Sequence, residues 1–96
     1  MSVLAEIDDP DGRRVVLDQE GWDHILEGHA VMAAHRGAIM ATVASPDHRA
    51  PDPTFPERER FYRRGWGPSR WMLVVVDHGQ EPARVVTAYP LRTGPS

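Results

Sequence analysis

The chain contains no cysteine, which excludes a disulfide framework, a thiolate nucleophile and a thiolate metal site and leaves the redox compartment open. It contains no lysine either, so all eleven of its Lys and Arg residues are arginine. Arginine is the better residue for bidentate phosphate contacts, although a biased base composition would remove lysines equally well. No apolar run approaches the roughly 20 residues of a membrane span, and the N-terminal MSVLAEIDD is acidic where a secretory signal would be basic. A cytoplasmic location without membrane contact is therefore expected. Several catalytic signatures are missing as well. There is no glycine-rich phosphate loop and no His-Glu-x-x-His helix, and Ser2, Ser45, Ser69 and Ser96 lie outside any nucleophile elbow.

What is present describes one small domain over residues 1–96, with 41% hydrophobic and 26% charged residues, an ordinary composition for a globular protein. The formal net charge of −3 is unevenly spread. Residues 1–30 carry eight acids against Arg13 and Arg14, whereas residues 49–70 carry six arginines against Asp52, Glu57 and Glu59. The middle of the chain thus suits an acidic partner.

Two C-terminal apolar runs, Trp71 to Val76 and Arg84 to Tyr89, read as an antiparallel hairpin and the centre of the fold. Met72 to Val76 is continuous, as expected of a strand covered on both faces. Strict alternation in the second run places Val86 and Ala88 on one face and Val85, Thr87 and Tyr89 on the other. Near the N-terminus, Val3 to Ile7 and Arg13 to Leu17 flank the turn sequence DDPDG and predict a second hairpin. Asp18 stands at an N-cap position, and Trp22, Ile25, Leu26 and His29 form the stripe of an amphipathic helix. Gly28 ends or kinks it, and a second helix is expected from about residue 31 to 44, burying Ile39, Met40 and Val43. Pro51, Pro53 and Pro56 predict an irregular loop from His48 to Glu57. Arg58 to Arg63 then alternates as a strand, with Arg58, Arg60 and Tyr62 on one face and Glu59, Phe61 and Arg63 on the other. Leu91 to Ser96 reads as a frayed tail. The resulting order, β-β-α-α-β-β-β, predicts an α+β fold: an N-terminal β-hairpin and two helices packed on an antiparallel sheet.

Three groups of side chains are candidates for chemistry. His24 and His29 are about 140° apart on an ideal helix, unsuited to a metal pair. A break at Gly28 would let His29 turn toward the sheet, and a structural or exposed role is the plain alternative. Arg58, Arg60 and Tyr62 form an anion clamp in which guanidinium forks match phosphate oxygens and a phenol stacks a base. The alternative there is an edge strand kept soluble by its charge. Thr87 and Tyr89 share a face of the closing strand, where Thr and Tyr are also ordinary strand formers.

The order of these motifs resembles a known family. WDHILEGH (22–29), a helix ending in Pro46-Asp47, the strand ERERFYRR (57–64), a valine-rich strand and VVTAYP (85–90) follow one another as in the phage-associated and toxin-type branch of the barnase, EndoU, colicin and RelE-like (BECR) nuclease superfamily. Where many relatives carry Pro-Glu after the second histidine, this chain has Ala30-Val31. The resemblance implies N-terminal helices on a four-stranded antiparallel sheet and a metal-independent ribonuclease with no cofactor. Carried over residue by residue, it places His24, His29, Arg58, Arg60 and Thr87 at a catalytic surface, with Tyr62, Tyr89 and Arg63 contacting the substrate. RNA is then the expected substrate, and a cognate antitoxin or immunity protein an expected partner. Two other functions fit the same residues: a non-catalytic module holding RNA, a nucleotide or a protein, and an interaction domain forming a homodimer through Trp66 or Trp71 and a sheet edge.

Overall fold

The structure is a computed structural model that describes residues 2–95. Strands β1 (Val3–Asp8) and β2 (Arg14–Asp18) form the N-terminal hairpin. The Asp9 carboxylate organises its turn, accepting from the backbone N–H groups of Asp11 and Arg13 at 2.9 Å each. Gly12 occupies the left-handed region there, with φ of 83°. Helix α1 (Gln19–Gly28) follows directly, its N-terminus closed by Asp18, which accepts from the Gly21 N–H at 2.8 Å.

The expected second helix is divided. A 3₁₀ turn over Ala30–Ala34 ends at His35, whose φ of −123° lies outside the helical range, and α2 (Arg36–Ala44) begins after it. Met32 is buried on the turn, and Ile39, Met40 and Val43 are buried on α2.

Strands β3 (His48–Pro51), β4 (Arg58–Arg64), β5 (Trp71–Asp77) and β6 (Ala83–Leu91) complete a six-stranded sheet of order β1-β2-β6-β5-β4-β3. The chain is therefore α+β, with its helices packed on a sheet. Three expectations about strand extent and pairing require correction. The segment assigned to irregular loop begins as β3, because an edge strand tolerates proline at its end, where the missing N–H has no partner to lose. The sheet is mixed rather than antiparallel, because β2 and β6 pair in parallel at Val15–Ala83 and Val16–Arg84. This pairing joins residues distant in the chain and leaves no local periodicity. Finally, β6 runs on through Leu91, into the stretch assigned to the tail; Ser96 lies outside the described residues.

Both faces of the central sheet are covered. Met72, Val74 and Val76 of β5 join Ile25, Ile39, Val43, Phe61, Val85 and Ala88 in the helix-side core. Leu73 and Val75 form a smaller cluster with Tyr62 on the opposite face, edged by Trp71, Val86 and Tyr89. Val85 thus parts company with Thr87 and Tyr89. Val76 pairs with Val85 while Val75 pairs with Thr87, so Val86 is an extra residue in a β-bulge. The reason is parity: Val85 and Ala88 both belong in the helix-side core, yet they stand three positions apart, and an unbroken pleat would expose one.

The sheet curls far enough for the β1–β2 turn to touch β3 and β4. Arg49 joins Glu59 at 2.7 Å and Asp11 at 2.8 Å, and Arg13 joins the fully buried Asp9 carboxylate at 3.0 Å. The hydrogen bond and charge of Arg49 hold the Asp11 carboxyl below the usual aspartate range. Backbone N–H groups of Phe55 and Thr54 do the same for Asp52, with Arg60 adding to the effect. Because both folded-state pKa values are depressed, their stabilisation is present above the unfolded aspartate pKa and disappears as pH falls below about 4. Acid unfolding followed by circular dichroism is expected to show this loss, and Asp11→Asn with Asp52→Asn to flatten the fall.

Candidate functional site

The site lies where β2 stops pairing with β6. After Val16 the chain turns at Asp18 into α1, and the helix takes the place of a neighbouring strand beside β6. Gly21 permits this approach, because a Cβ there would lie 2.8 Å from the Val85 carbonyl oxygen, a backbone atom with no freedom to yield. Asp18, 2% exposed, faces Arg84 across the seam at 3.4 Å. Gly21→Ala is expected to push α1 from β6 and lower stability by about 1–3 kcal/mol, read by denaturant unfolding; wild-type stability would refute the tight seam.

A cleft of about 630 Å³ opens between α1 and β6 and extends to Arg58 at the start of β4 and Asp77 at the end of β5. His24 and Glu27 line it from the helix, Thr87 and Arg84 from the strand. Arg58 is held by the Phe55 ring, 4.2 Å from its guanidinium carbon, and its buried Nε has no hydrogen-bond partner among the described residues. The apolar side of α1 carries Ile25 into the core, which leaves Glu20, His24 and Glu27 as a polar stripe on the cleft side.

A smaller adjoining hollow is lined by His24, Glu27, His29, Thr87 and Tyr89. His29 has left the helix, with φ of −145°, and its ring stacks on Tyr89 at 5.3 Å between centroids and 23° between planes. The two imidazoles, turned apart on an ideal helix, therefore border one hollow because the helix ends between them.

The structure divides the arginine strand. Arg58 reaches the cleft, whereas Arg60 lies beside Tyr62 on the sheet face, paired with Asp52 at 3.2 Å. Interaction with the Tyr62 phenol raises the Arg60 pKa above its ordinary value, against desolvation, and Asp52 reinforces it. Tyr62 is itself 7% exposed, within the smaller core cluster. Arg63 projects to the other side, against the Ser45 carbonyl and the Trp66 ring. Glu27 and Arg84 are among the cleft residues absent from the candidates drawn from the sequence. Glu27 was detectable as the i+3 neighbour of His24, and Arg84 only through the long-range pairing of β2 with β6.

Carboxylate and imidazole donors also gather at Asp9, Glu59 and His78, whose ligand atoms lie within 4.8 Å of one another. Arg13 and Arg49 already pair with these carboxylates at 3.0 and 2.7 Å, so a divalent cation there would face two guanidinium groups.

Fold and cleft together define an α+β protein in which an imidazole, several carboxylates, a hydroxyl and two guanidinium groups border one groove. Comparison with protein-family models, curated proteins and solved structures gives no match. No helix among the described residues is long and apolar enough to cross a membrane.

Proposed function

We propose that the chain is a small metal-independent ribonuclease, a reading that its resemblance to toxin and phage-derived nucleases extends to a role as a toxin or effector with a cognate inhibitor. The observation that carries it is the grouping of an imidazole, a carboxylate, a hydroxyl and a guanidinium, from His24, Glu27, Thr87 and Arg58, around one cleft. In the proposed reaction the Glu27 carboxylate accepts the proton of the RNA 2′-hydroxyl, and the 2′-oxygen attacks phosphorus. Arg58 stabilises the pentacoordinate phosphate, with Thr87 orienting a phosphate oxygen. His24 donates a proton to the departing 5′-oxygen, a role suited to imidazole. The P–O5′ bond breaks as the P–O2′ bond forms, leaving a 2′,3′-cyclic phosphate and a 5′-hydroxyl. His29 and Tyr89 supply a stacked ring surface for a base.

The test is incubation of the purified chain with a mixed RNA pool in EDTA. Fragments ending in cyclic phosphate are expected, with single-stranded DNA uncut because it lacks the 2′-hydroxyl; an intact RNA pool overturns the reading. A second reading has its own observation. Asp18, Glu20, Asp23 and Asp77 also line the cleft, so its carboxylates outnumber its arginines. This charge favours a non-catalytic module that docks a basic protein segment, and salt-sensitive binding of a basic peptide without RNA turnover would establish it.

A further inference from the structure

At the far end of the sheet, Arg64 and Arg70 on the β4–β5 side face Arg92 across a hollow of about 530 Å³ that also contains Trp71. Arg63 lies over the exposed Trp66 ring at 4.5 Å, and Arg64 over Trp71 at 5.9 Å. Among the described residues, ion pairs engage Arg13, Arg14, Arg49, Arg60, Arg84 and His78, but none of these four arginines. The nearby Asp47 carboxylate is directed to the Arg64 backbone N–H at 2.7 Å. The C-terminal segment is seated firmly here, since a Cβ on Gly94 would lie 2.6 Å from the Trp71 ring. An otherwise acidic protein thus gathers three arginines that no ion pair engages among the described residues around a hollow holding Trp71, with Arg63 and Trp66 close by in the chain.

We propose that this basic, aromatic end is a second binding subsite for a single-stranded polynucleotide, distinct from the cleft and holding the strand whose other part enters it. Guanidinium groups take the phosphates, and the Trp66 ring stacks a base, the combination that grips single strands without reading sequence. One strand links the two sites. Thr87 at the cleft and Leu91 opposite Trp71 lie on the same strand, four residues or about 13 Å apart at strand rise. Tyr89, which borders the hollow beside Thr87 and packs in the same cluster as Leu91, lies between them. This proposal rests on the ribonuclease reading only for the identity of the strand; the subsite itself rests on the local charge and rings.

The test measures binding of a labelled oligouridylate to the full chain in EDTA by fluorescence anisotropy over a salt series, beside cleavage of a dinucleotide too short to span both sites. Arg70→Gln with Arg92→Gln is expected to weaken oligonucleotide binding about tenfold and to reduce the log–log salt slope by about 0.7 for each phosphate no longer neutralised. Trp66→Ala should weaken binding with little change in slope. Dinucleotide cleavage and the melting temperature should stay at wild-type values. Binding without cleavage would remove the ribonuclease reading and keep the subsite. Wild-type affinity and slope in the arginine variant would overturn the subsite, whatever the cleavage result. So would a Trp66→Ala variant that loses only self-association, which would make this end a dimer contact. An oligodeoxyuridylate arm distinguishes RNA from DNA as the strand held.

Discussion

Glu27→Gln and His24→Ala are each expected to slow RNA cleavage by about 10²–10⁴-fold, the usual contribution of one positioned acid or base. Both side chains stand on the exposed side of α1, and the residues that anchor the helix, Ile25, Trp22 and Leu26, point elsewhere. Neither substitution disturbs the packing of the core, so melting temperatures should remain close to wild type. Glu27→Gln keeps the shape of the side chain while replacing the proton acceptor, which separates chemistry from binding. Each variant should also lose one limb of the pH–rate profile. The double variant should be little worse than either single one, because groups that act in one step are not additive. Cleavage at the wild-type rate in either variant would remove that residue from the mechanism. Loss of stability together with activity would assign it a structural role instead.

Phe61→Ala is expected to lower unfolding free energy by about 3–5 kcal/mol, the range for removing a fully buried aromatic ring. Phe61 is 0% exposed at the junction of β3, β4 and β5, paired with Val74 on one side and Arg49 on the other. Arg49 also caps its ring at 5.0 Å while holding Glu59 and Asp11. Loss of the ring would therefore leave a cavity and loosen the charged network at the curled end of the sheet. The chain's other phenylalanine is the control. Phe55 is 44% exposed and touches Arg58 through its ring, so Phe55→Ala should change stability by no more than about 0.5 kcal/mol. Because Phe55 steadies a cleft arginine, its loss should appear in cleavage instead. Denaturant unfolding of the two variants side by side checks the contrast; equal losses would contradict the burial assigned to Phe61.

Much of the architecture was legible in adjacent residues. Asp18 before an amphipathic stripe marked the start of α1, DDPDG marked the first hairpin, and the unbroken Met72 to Val76 run indicated a strand buried on both faces. Local signals misled where a distant contact outweighed them. Prolines argued for loop at His48–Pro51, yet four register pairs with β4 make it an edge strand. Alternation put Val85 beside Thr87, yet the demand for both Val85 and Ala88 in the core inserted a bulge.

The sequence by itself determined most of the elements, the α+β layer they form and the imidazoles, arginines and hydroxyls available for chemistry, because capping, turn geometry and side-chain period act between neighbours in the chain. Only the tertiary structure decided that α1 lies against β6, that Glu27 and Arg84 border the cleft while Arg60 is paired to one side, and that Arg70 and Arg92 meet beside Trp71. The cleft depends on the close contact of Gly21 with Val85, the pairing of Asp18 with Arg84 and the parity shift at Val86. Each is a contact between segments far apart in the chain or a requirement of the assembled core, and neither leaves a periodic trace in the residues that make it.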